Sequence, residues 1–264
     1  MLLSRHRVQV DPSLDEQQLI DPEVISRFVD YCDIMPGETV LEIGPGAGNI
    51  TEPLLERARY LICIEKNPKY IPILDERFKG SEKIKIIRDD ALKTYLPKHD
   101  RLVSNLPYMI CEPFFQRTLR LFFKSATFIV PSGFAETLTA EPTNTEYTKL
   151  SWLAHLFYSI KHLETVPSTS YLPEPRVNTA IITLKPRTDR SLVEQTLMEL
   201  IQQGDKYTKN ALRESLIRSQ LAESKKKARS LVDEMKLETS VLESWVSRLS
   251  LNDLEQIEKK LGSN

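Results

Sequence analysis

The sequence predicts an α/β domain built on a mostly parallel sheet with helices on both faces, followed by a small all-helical domain. Three observations carry that prediction. Short apolar runs alternate with helical stretches between residues 39 and 130, a spacing that implies crossover connections and parallel pairing. A glycine-rich turn, Gly44-Pro45-Gly46-Ala47-Gly48, follows directly on the first of those runs. Past Lys185-Pro186-Arg187 the β-branched runs thin out, and helical spacing continues through Leu261. The domain boundary is therefore placed near residue 187, with the α/β domain over 1–187 and the helical domain over 188–264.

The elements follow in order. Asp21-Pro22-Glu23 reads as a helix start, with Asp as cap, Pro at the first helical position and Glu in the first turn. Val24, Ile25, Phe28 and Val29 give that helix its apolar face, and Pro36-Gly37 closes the segment. Thr39 to Ile43 is a short buried strand; Ile50, Leu54 and Leu55 mark the helix after the glycine turn. The alternation continues with a strand at Tyr60 to Ile64, a helix from Pro68 to Phe78, and strands at Ile84 to Ile87, Arg101 to Ser104 and Ala126 to Val130. Two further strand-like stretches, Ile160 to Val166 and Val177 to Leu184, can pair as an antiparallel edge.

Bulk properties narrow the function classes. A chain of 264 residues with 41% apolar and 28% charged residues is long enough to bury a core and is ordinary for a globular protein. No apolar run approaches the ~20 residues of a membrane span, and Met1 to Arg7 is not followed by a signal-peptide core. No membrane association is expected, and the cytoplasm is the expected compartment. Cys32, Cys63 and Cys111 are too scattered for a metal pair and are expected to be free thiols, so no metal is predicted. The formal charge is −1, but eight basic residues against two acidic ones lie between Lys206 and Arg229. Such a block can neutralise phosphates, although a charge run by itself is usually a solvated helix face.

The glycine turn stands where a parallel sheet binds ligands, beyond the carboxyl end of a strand. Gly44, Gly46 and Gly48 permit a tight turn and close backbone approach. Asn49 replaces the last glycine of a dinucleotide fingerprint, which disfavours a nicotinamide cofactor. Glu65 ends the second strand, where it can accept hydrogen bonds from both ribose hydroxyls. Asp90 ends the third, where it can receive an adenine amino group. Counting Glu42, acidic residues stand at three successive strand ends, which suits a cofactor carrying a positive sulfonium and no phosphate and points to S-adenosylmethionine.

Asn105-Leu106-Pro107-Tyr108 follows the next strand. An exocyclic adenine amine is a weak nucleophile because its lone pair is delocalised into the ring. The Asn105 side-chain oxygen and the Leu106 carbonyl can accept both of its hydrogens and favour a pyramidal nitrogen. Pro107 biases Leu106 to an extended conformation and stiffens the turn. Tyr108 offers a ring for base stacking, worth ~1–3 kcal/mol. An isolated motif of this kind is ordinarily just a turn; its place after a strand of a nucleotide-binding sheet is what gives it meaning.

With these segments together the chain resembles the adenine dimethyltransferases of small-subunit ribosomal RNA, relatives of the erythromycin-resistance methylases. The matching segments are Leu41 to Gly48, Ile64-Glu65-Lys66-Asn67, Asp90-Ala91-Leu92, Asn105 to Tyr108, Tyr147 to Ser151 and Tyr171 to Val177. They cover roughly residues 15 to 187, and the helical tail resembles the family's smaller domain. The resemblance implies a Rossmann-like sheet of the class I methyltransferase kind. It adds Leu19, Lys66, Ala91 and Asn105 to the cofactor residues, and Tyr171 as a second aromatic facing Tyr108 across the target adenine. It further implies a monomer acting on small-subunit ribosomal RNA or a pre-ribosomal particle, with the basic tail holding RNA.

The chain departs from the family pattern in two places. A Gln-x-Phe-Leu segment that lies over the cofactor in relatives is here Glu16-Gln17-Gln18-Leu19, and a Gln-Lys-Glu run after the fifth strand is here Pro131-Ser132-Gly133, although Phe134, Ala135 and Glu136 remain. The first departure motivates a second expectation, an assembly factor that binds RNA without modifying it. Methylation of DNA or of a protein glutamine ranks third, because those enzymes commonly carry proline where Leu106 stands.

Overall fold

The structure, a computed structural model, describes residues 17–263; Glu16 and the segment from Met1 to Arg7 lie outside them. The described chain divides into two compact units. One runs to Thr139 and takes up Ser159–Pro186; the other consists of Ala140–Tyr158 and the chain from Arg187 onward. A single cut near residue 187 therefore does not describe the division, because 140–158 group with the helical unit rather than with the sheet.

The first unit begins with a two-residue strand, β1 (Gln18–Leu19), and a helix, α1 (Pro22–Tyr31). The Asp21 carboxylate accepts from the Glu23 and Val24 amides at 3.0 and 3.3 Å, so the cap predicted from Asp21-Pro22-Glu23 is present. Then follow β2 (Thr39–Ile43), α2 (Thr51–Arg57), β3 (Tyr60–Glu65), α3 (Ile71–Arg77), β4 (Ile84–Arg88), β5 (Arg101–Asn105), α4 (Cys111–Thr118), β6 (Ser125–Pro131) and α5 (Ser132–Thr139). After α6 (Lys149–Phe157) the chain returns through β7 (Tyr158–Val166), β8 (Tyr171–Leu172) and β9 (Thr179–Pro186).

Seven strands form one sheet in the order β4-β3-β2-β5-β6-β9-β7. The pairs from β4 to β6 are parallel, and β9 joins β6 antiparallel with Phe128 opposite Ile182. Because β3 lies on one side of β2 and β5 on the other, the connections diverge at the carboxyl ends of β2 and β5. That divergence opens a crevice. Alternate strand residues (Val40, Leu61, Cys63, Val103, Ile129) join Phe28, Val29 and Leu54 of two helices in one core cluster. Their neighbours Leu41, Ile62, Ile64, Leu102 and Phe128 are buried as well, with Phe128 edge-on to Phe114 of α4 at 6.1 Å. Since successive side chains point to opposite faces, helices cover both faces, as predicted.

At the far end of the sheet, Arg101 bonds Glu38 through Nε at 2.6 Å and Ser125 Oγ at 2.7 Å, and Lys124 reaches Glu38 at 2.9 Å. Burial alone would raise the Glu38 carboxyl, but the Arg101 guanidinium, the Met35 amide and Lys124 outweigh it and hold the acid at about 2. This cluster ties β5 and β6 to the turn before β2.

The helical unit contains α6, then α7 (Leu192–Ile201), α8 (Thr208–Arg218), α9 (Lys225–Glu234), α10 (Thr239–Leu242) and α11 (Leu251–Gly262). Capping boxes start three of them: Thr148 with Ser151, Ser191 with Glu194, and Ser250 with Asp253. Leu197, Leu200, Leu212, Leu216, Val232, Leu254 and Ile257 are buried within it. Trp152 donates its indole N–H to Glu258 at 2.9 Å, which fastens α6 to α11.

All three cysteines are buried and free, as the sequence led us to expect. Among the described residues no helix is long and apolar enough to cross a membrane, and no group of His, Cys, Asp or Glu is placed to hold a metal ion.

Candidate active site

A cleft of about 450 Å³ opens at the topological switch point, within the sheet-bearing unit. Its walls come from five places: the β1 strand, the glycine turn after β2, the ends of β3 and β4, the corner after β5, and Tyr171 of β8.

The glycine turn forms because its backbone enters the left-handed region. Gly44 and Gly46 have φ of 64° and 56°, which L side chains rarely adopt. At Gly46 the space is also taken: a Cβ there would lie 2.5 Å from the Gln18 side-chain oxygen. Gly48 differs from the other two. It faces Phe78 and Leu74, and it does not appear in the wall of the cleft, so its part is packing the turn against α3. Asn49, read from sequence only as a departure from a fingerprint, is a wall residue. It donates to the Leu19 carbonyl at 3.0 Å and accepts from Arg77 at 3.2 Å.

Glu65, at the end of β3, is buried. One carboxylate oxygen accepts from the Gly46 amide at 3.0 Å and the other from the Asn67 amide at 2.6 Å. The acid expected to meet a ribose is thus also the group that fixes the glycine turn. A carboxylate oxygen can accept more than one hydrogen bond. Asp90 accepts from Lys66 Nζ at 2.9 Å and from the Leu92 amide at 2.9 Å. Those two contacts hold its carboxyl below the usual range. Ala91 is buried beside it in the same wall.

Glu42 stands elsewhere than expected. It is the fourth residue of β2 rather than a strand end, and it lies buried at the base of the cleft, where it accepts from the Cys63 thiol at 3.4 Å. Burial pushes its carboxyl up to about 7, helped by the charge of Glu65.

The Asn105 corner is held from behind. Ser104 Oγ, fully buried, donates to the Ile43 carbonyl at 2.6 Å, which ties β5 to β2 just where the two diverge. The Leu106 amide donates to Ile129 of β6 at 3.0 Å. Pro107 adopts φ −54° and ψ 134°, and its carbonyl accepts from the Ile110 amide at 3.0 Å, closing a short 3₁₀ turn over Tyr108–Ile110. The Leu106 carbonyl accepts a long contact from the Cys111 thiol at 3.9 Å, and a carbonyl oxygen has two lone pairs to offer. Asn105, Leu106, Pro107 and Tyr108 all border the cleft.

Leu19 and Gln18 reach the cleft through β1, which pairs antiparallel with β8 so that Leu19 faces Tyr171. Tyr171 borders the cleft but is 4% exposed, and its hydroxyl bonds Thr179 Oγ1 at 2.7 Å. Burial raises the phenol, which stays neutral. Gln18 accepts from the Ala47 amide at 3.0 Å and reaches the Tyr70 hydroxyl at 3.3 Å. Sequence reasoning kept only Leu19 from this segment; Gln18 was visible only as a residue out of pattern. Pro131, Ser132 and Gly133 are not in the wall of the cleft.

The arrangement can hold a nucleoside against Glu65 and the glycine turn while the Asn105 corner presents two acceptors and a ring to a second planar group. Comparison with known proteins agrees. A sequence model of the ribosomal RNA adenine dimethylases matches residues 8–251. The chain is 34% identical over 219 residues, 81% of each chain, to a probable ribosomal RNA small subunit methyltransferase A of Methanosphaera stadtmanae. It is 30% identical to the protein of that name from Thermococcus sibiricus, over 98% of this chain and 95% of the relative. Among solved structures it resembles a dimethyladenosine transferase from Plasmodium falciparum, with a TM-score of 0.63 and 25% identity over 92% of this chain and 98% of the other. It shares its fold with the 23S rRNA methyltransferase ErmE, at a TM-score of 0.63 and 21% identity over 92% and 99% of the two chains.

Proposed function

The chain belongs to the ribosomal RNA adenine dimethylase family, and on that premise we propose that it transfers methyl groups from S-adenosylmethionine to the N6 amine of adenosines in small-subunit ribosomal RNA. The product is dimethylated, on adjacent adenosines, during ribosome assembly. The observation that carries this reading is that the Asn105-Leu106-Pro107-Tyr108 corner borders the same cleft as Glu65 and the glycine turn.

The residues present fit the donor. Glu65, Asp89 and Asp90 border the cleft, and its one lysine, Lys66, is paired with Asp90. A phosphate-bearing cofactor would meet repulsion there, whereas a sulfonium is attracted. Glu65 would hold the ribose, and Asp90 with Ala91 the adenine. S-adenosylmethionine, when bound, supplies a methyl group on a sulfur that departs as a neutral thioether.

The chain's part is positioning. Asn105 Oδ1 and the Leu106 carbonyl accept the two N–H hydrogens of the target amine, leaving its lone pair directed into the cleft. Tyr108 supports one face of the base, and Tyr171 borders the other side. The Ser104 and Leu106 bonds to neighbouring strands hold the backbone on both sides of Asn105, which limits the reorganisation needed as the amine pyramidalises. The methylated amine is strongly acidic and releases its proton to water. A stacked base cannot reach these groups, so the adenosine must be unstacked, at a cost of a few kcal/mol.

We place the reaction in the cytoplasm on a pre-ribosomal particle, with the chain as a monomer of 30.4 kDa and residues 188–264 contributing to RNA binding; light scattering checks the monomer. A second reading, an assembly factor that binds RNA without modifying it, draws on one observation: Gln18 already occupies the Ala47 amide. Calorimetry with S-adenosylmethionine separates the two, since a pure binding factor need not retain the affinity.

The direct test is nucleoside mass spectrometry of small-subunit precursor RNA incubated with the protein and donor. Dimethyladenosine is expected from the wild type. Asn105→Ala should lose about 10²- to 10³-fold in kcat, the scale for removing one preorganised polar contact, with donor affinity kept. Unchanged turnover would remove Asn105 from the mechanism.

A further inference from the structure

The helical unit contains a second cavity, of about 470 Å³, that methyl transfer does not use. Its wall includes Tyr207, Arg213, Lys225, Arg229 and Trp245. Tyr207 and Trp245 form an antiparallel bridge, fixed on either side by the Thr208 amide to the Ser244 carbonyl at 2.8 Å and the Val246 amide to the Lys206 carbonyl at 3.0 Å. Their rings lie 4.8 Å apart and 34° from parallel. Both remain open, at 48% and 36% exposure. Two large aromatics held rigidly by backbone bonds and yet left in contact with solvent are costly unless something covers them.

The rim is cationic. Lys225 and Arg229 are exposed one turn apart on α9, and Arg213 Nε is buried with no hydrogen-bond partner among the described residues. Of the two acids in the wall, Glu214 is committed to Lys206 at 2.7 Å and to Arg218 at 3.4 Å, and Asp205 is exposed to solvent beside Lys206. The site therefore offers a flat π surface beside three cations, which matches a planar base joined to phosphates. An acidic peptide would satisfy the cations but leave the rings uncovered.

We propose that this cavity holds an unstacked nucleotide of single-stranded RNA, its base on the Tyr207–Trp245 rings and its flanking phosphates on Arg213, Lys225 and Arg229. The proposal rests on the reading of RNA as the substrate, and adds a second grip on that RNA, carried by the helical unit.

Fluorescence anisotropy with labelled adenylate and uridylate ribohexamers, on the full chain, tests it. Trp245→Ala and Tyr207→Ala should each weaken both hexamers about tenfold or more, with little preference between bases, because every base has a stacking face. Trp245→Phe should restore most of the affinity. The exposed pair Lys225→Gln with Arg229→Gln should flatten the salt dependence by about 1.4 in the slope of log K against log salt, the scale for two phosphates of a single strand. Wild-type affinity in both aromatic variants overturns the proposal, as does tighter Trp245-dependent binding of hexaglutamate than of either hexamer. The two readings separate by readout, hexamer binding for the cavity and methyl transfer for the cleft. Absence of methyl transfer with Trp245-dependent binding would sink the enzyme reading and leave the cavity standing.

Discussion

Glu65→Gln isolates the hinge of the cofactor argument. The carboxylate has about four acceptor positions. At least two serve the Gly46 amide at 3.0 Å and the Asn67 amide at 2.6 Å, and the ribose hydroxyls would share the same two oxygens. A glutamine amide of nearly the same shape has one acceptor oxygen and an NH₂ group that can only donate. Whichever way it is turned, one of the two backbone N–H groups then faces another donor. The variant either loses a charge-assisted bond to the ribose or lets the glycine turn shift. Such a bond is worth about 1.5–3 kcal/mol, and a loss of 2–3 kcal/mol corresponds to about 30- to 150-fold in Kd. Calorimetric titration with S-adenosylmethionine measures it, and circular dichroism confirms that the variant is folded. Turnover at saturating donor should fall less than tenfold, because the Asn105 corner is carried by β5 and held by Ser104 and Ile129 rather than by Glu65. A Kd within twofold of the wild type would refute the assignment of Glu65 as the ribose acceptor.

Two further predictions follow from the same cleft. Glu42 sits folded at about 7 against an ordinary 4.5 because of burial. An acid raised in the folded state contributes stability that is intact below pH 4.5 and is lost as pH rises through 7. Glu42→Gln should therefore melt at about the same temperature as the wild type at about pH 4 and several degrees higher at about pH 8, by scanning calorimetry; equal melting at both values would mean that Glu42 carries no such shift. Gln18→Ala frees the Ala47 amide from its internal acceptor, so donor affinity should tighten by about 2- to 10-fold, on the scale of one net hydrogen bond. Weaker binding in calorimetry would show that Gln18 holds the ligand rather than competing with it.

Local signals explain why much of the fold was legible. Asp21-Pro22 capped a helix because a carboxylate and a missing N–H are what a helix start requires, and the β-branched runs at residues 39–43 and 60–64 can bury themselves only inside a parallel sheet. What escaped was non-local. Lys149–Phe157 is apolar nearly all round, so it has no helical period to read, and only its contacts assign it to the helical unit. Gln18 and Leu19 reach the cleft by pairing with Tyr171 and Leu172, across more than half the chain, which no local pattern announces. Gly48 looked equivalent to Gly44 and Gly46 in spacing, yet the turn of the backbone aims it at Phe78. Glu42 was counted as a strand end because it is acidic near a glycine; the register places it one residue too early to leave the sheet.

The two halves of the site depend on one another through the sheet, and this bears on why the corner can be short. A planar amine must be met by acceptors set to a few tenths of an ångström, and a four-residue turn has too few contacts of its own to supply that precision. Here the precision is borrowed. Ser104, immediately before Asn105, is bonded to the last residue of β2, from which the glycine turn departs; Leu106, immediately after it, is bonded to β6. Pro107 lies 3.9 Å from where a Cβ on Gly44 would stand, so the absence of that side chain lets the corner and the turn pack directly. Donor loop and acceptor corner are consequently registered by the same strand ends, and any motion separating them must break a fully buried hydrogen bond. Asn105 can thus remain partly exposed to the cleft without being free to wander, as a residue that acts by aim rather than by acidity must.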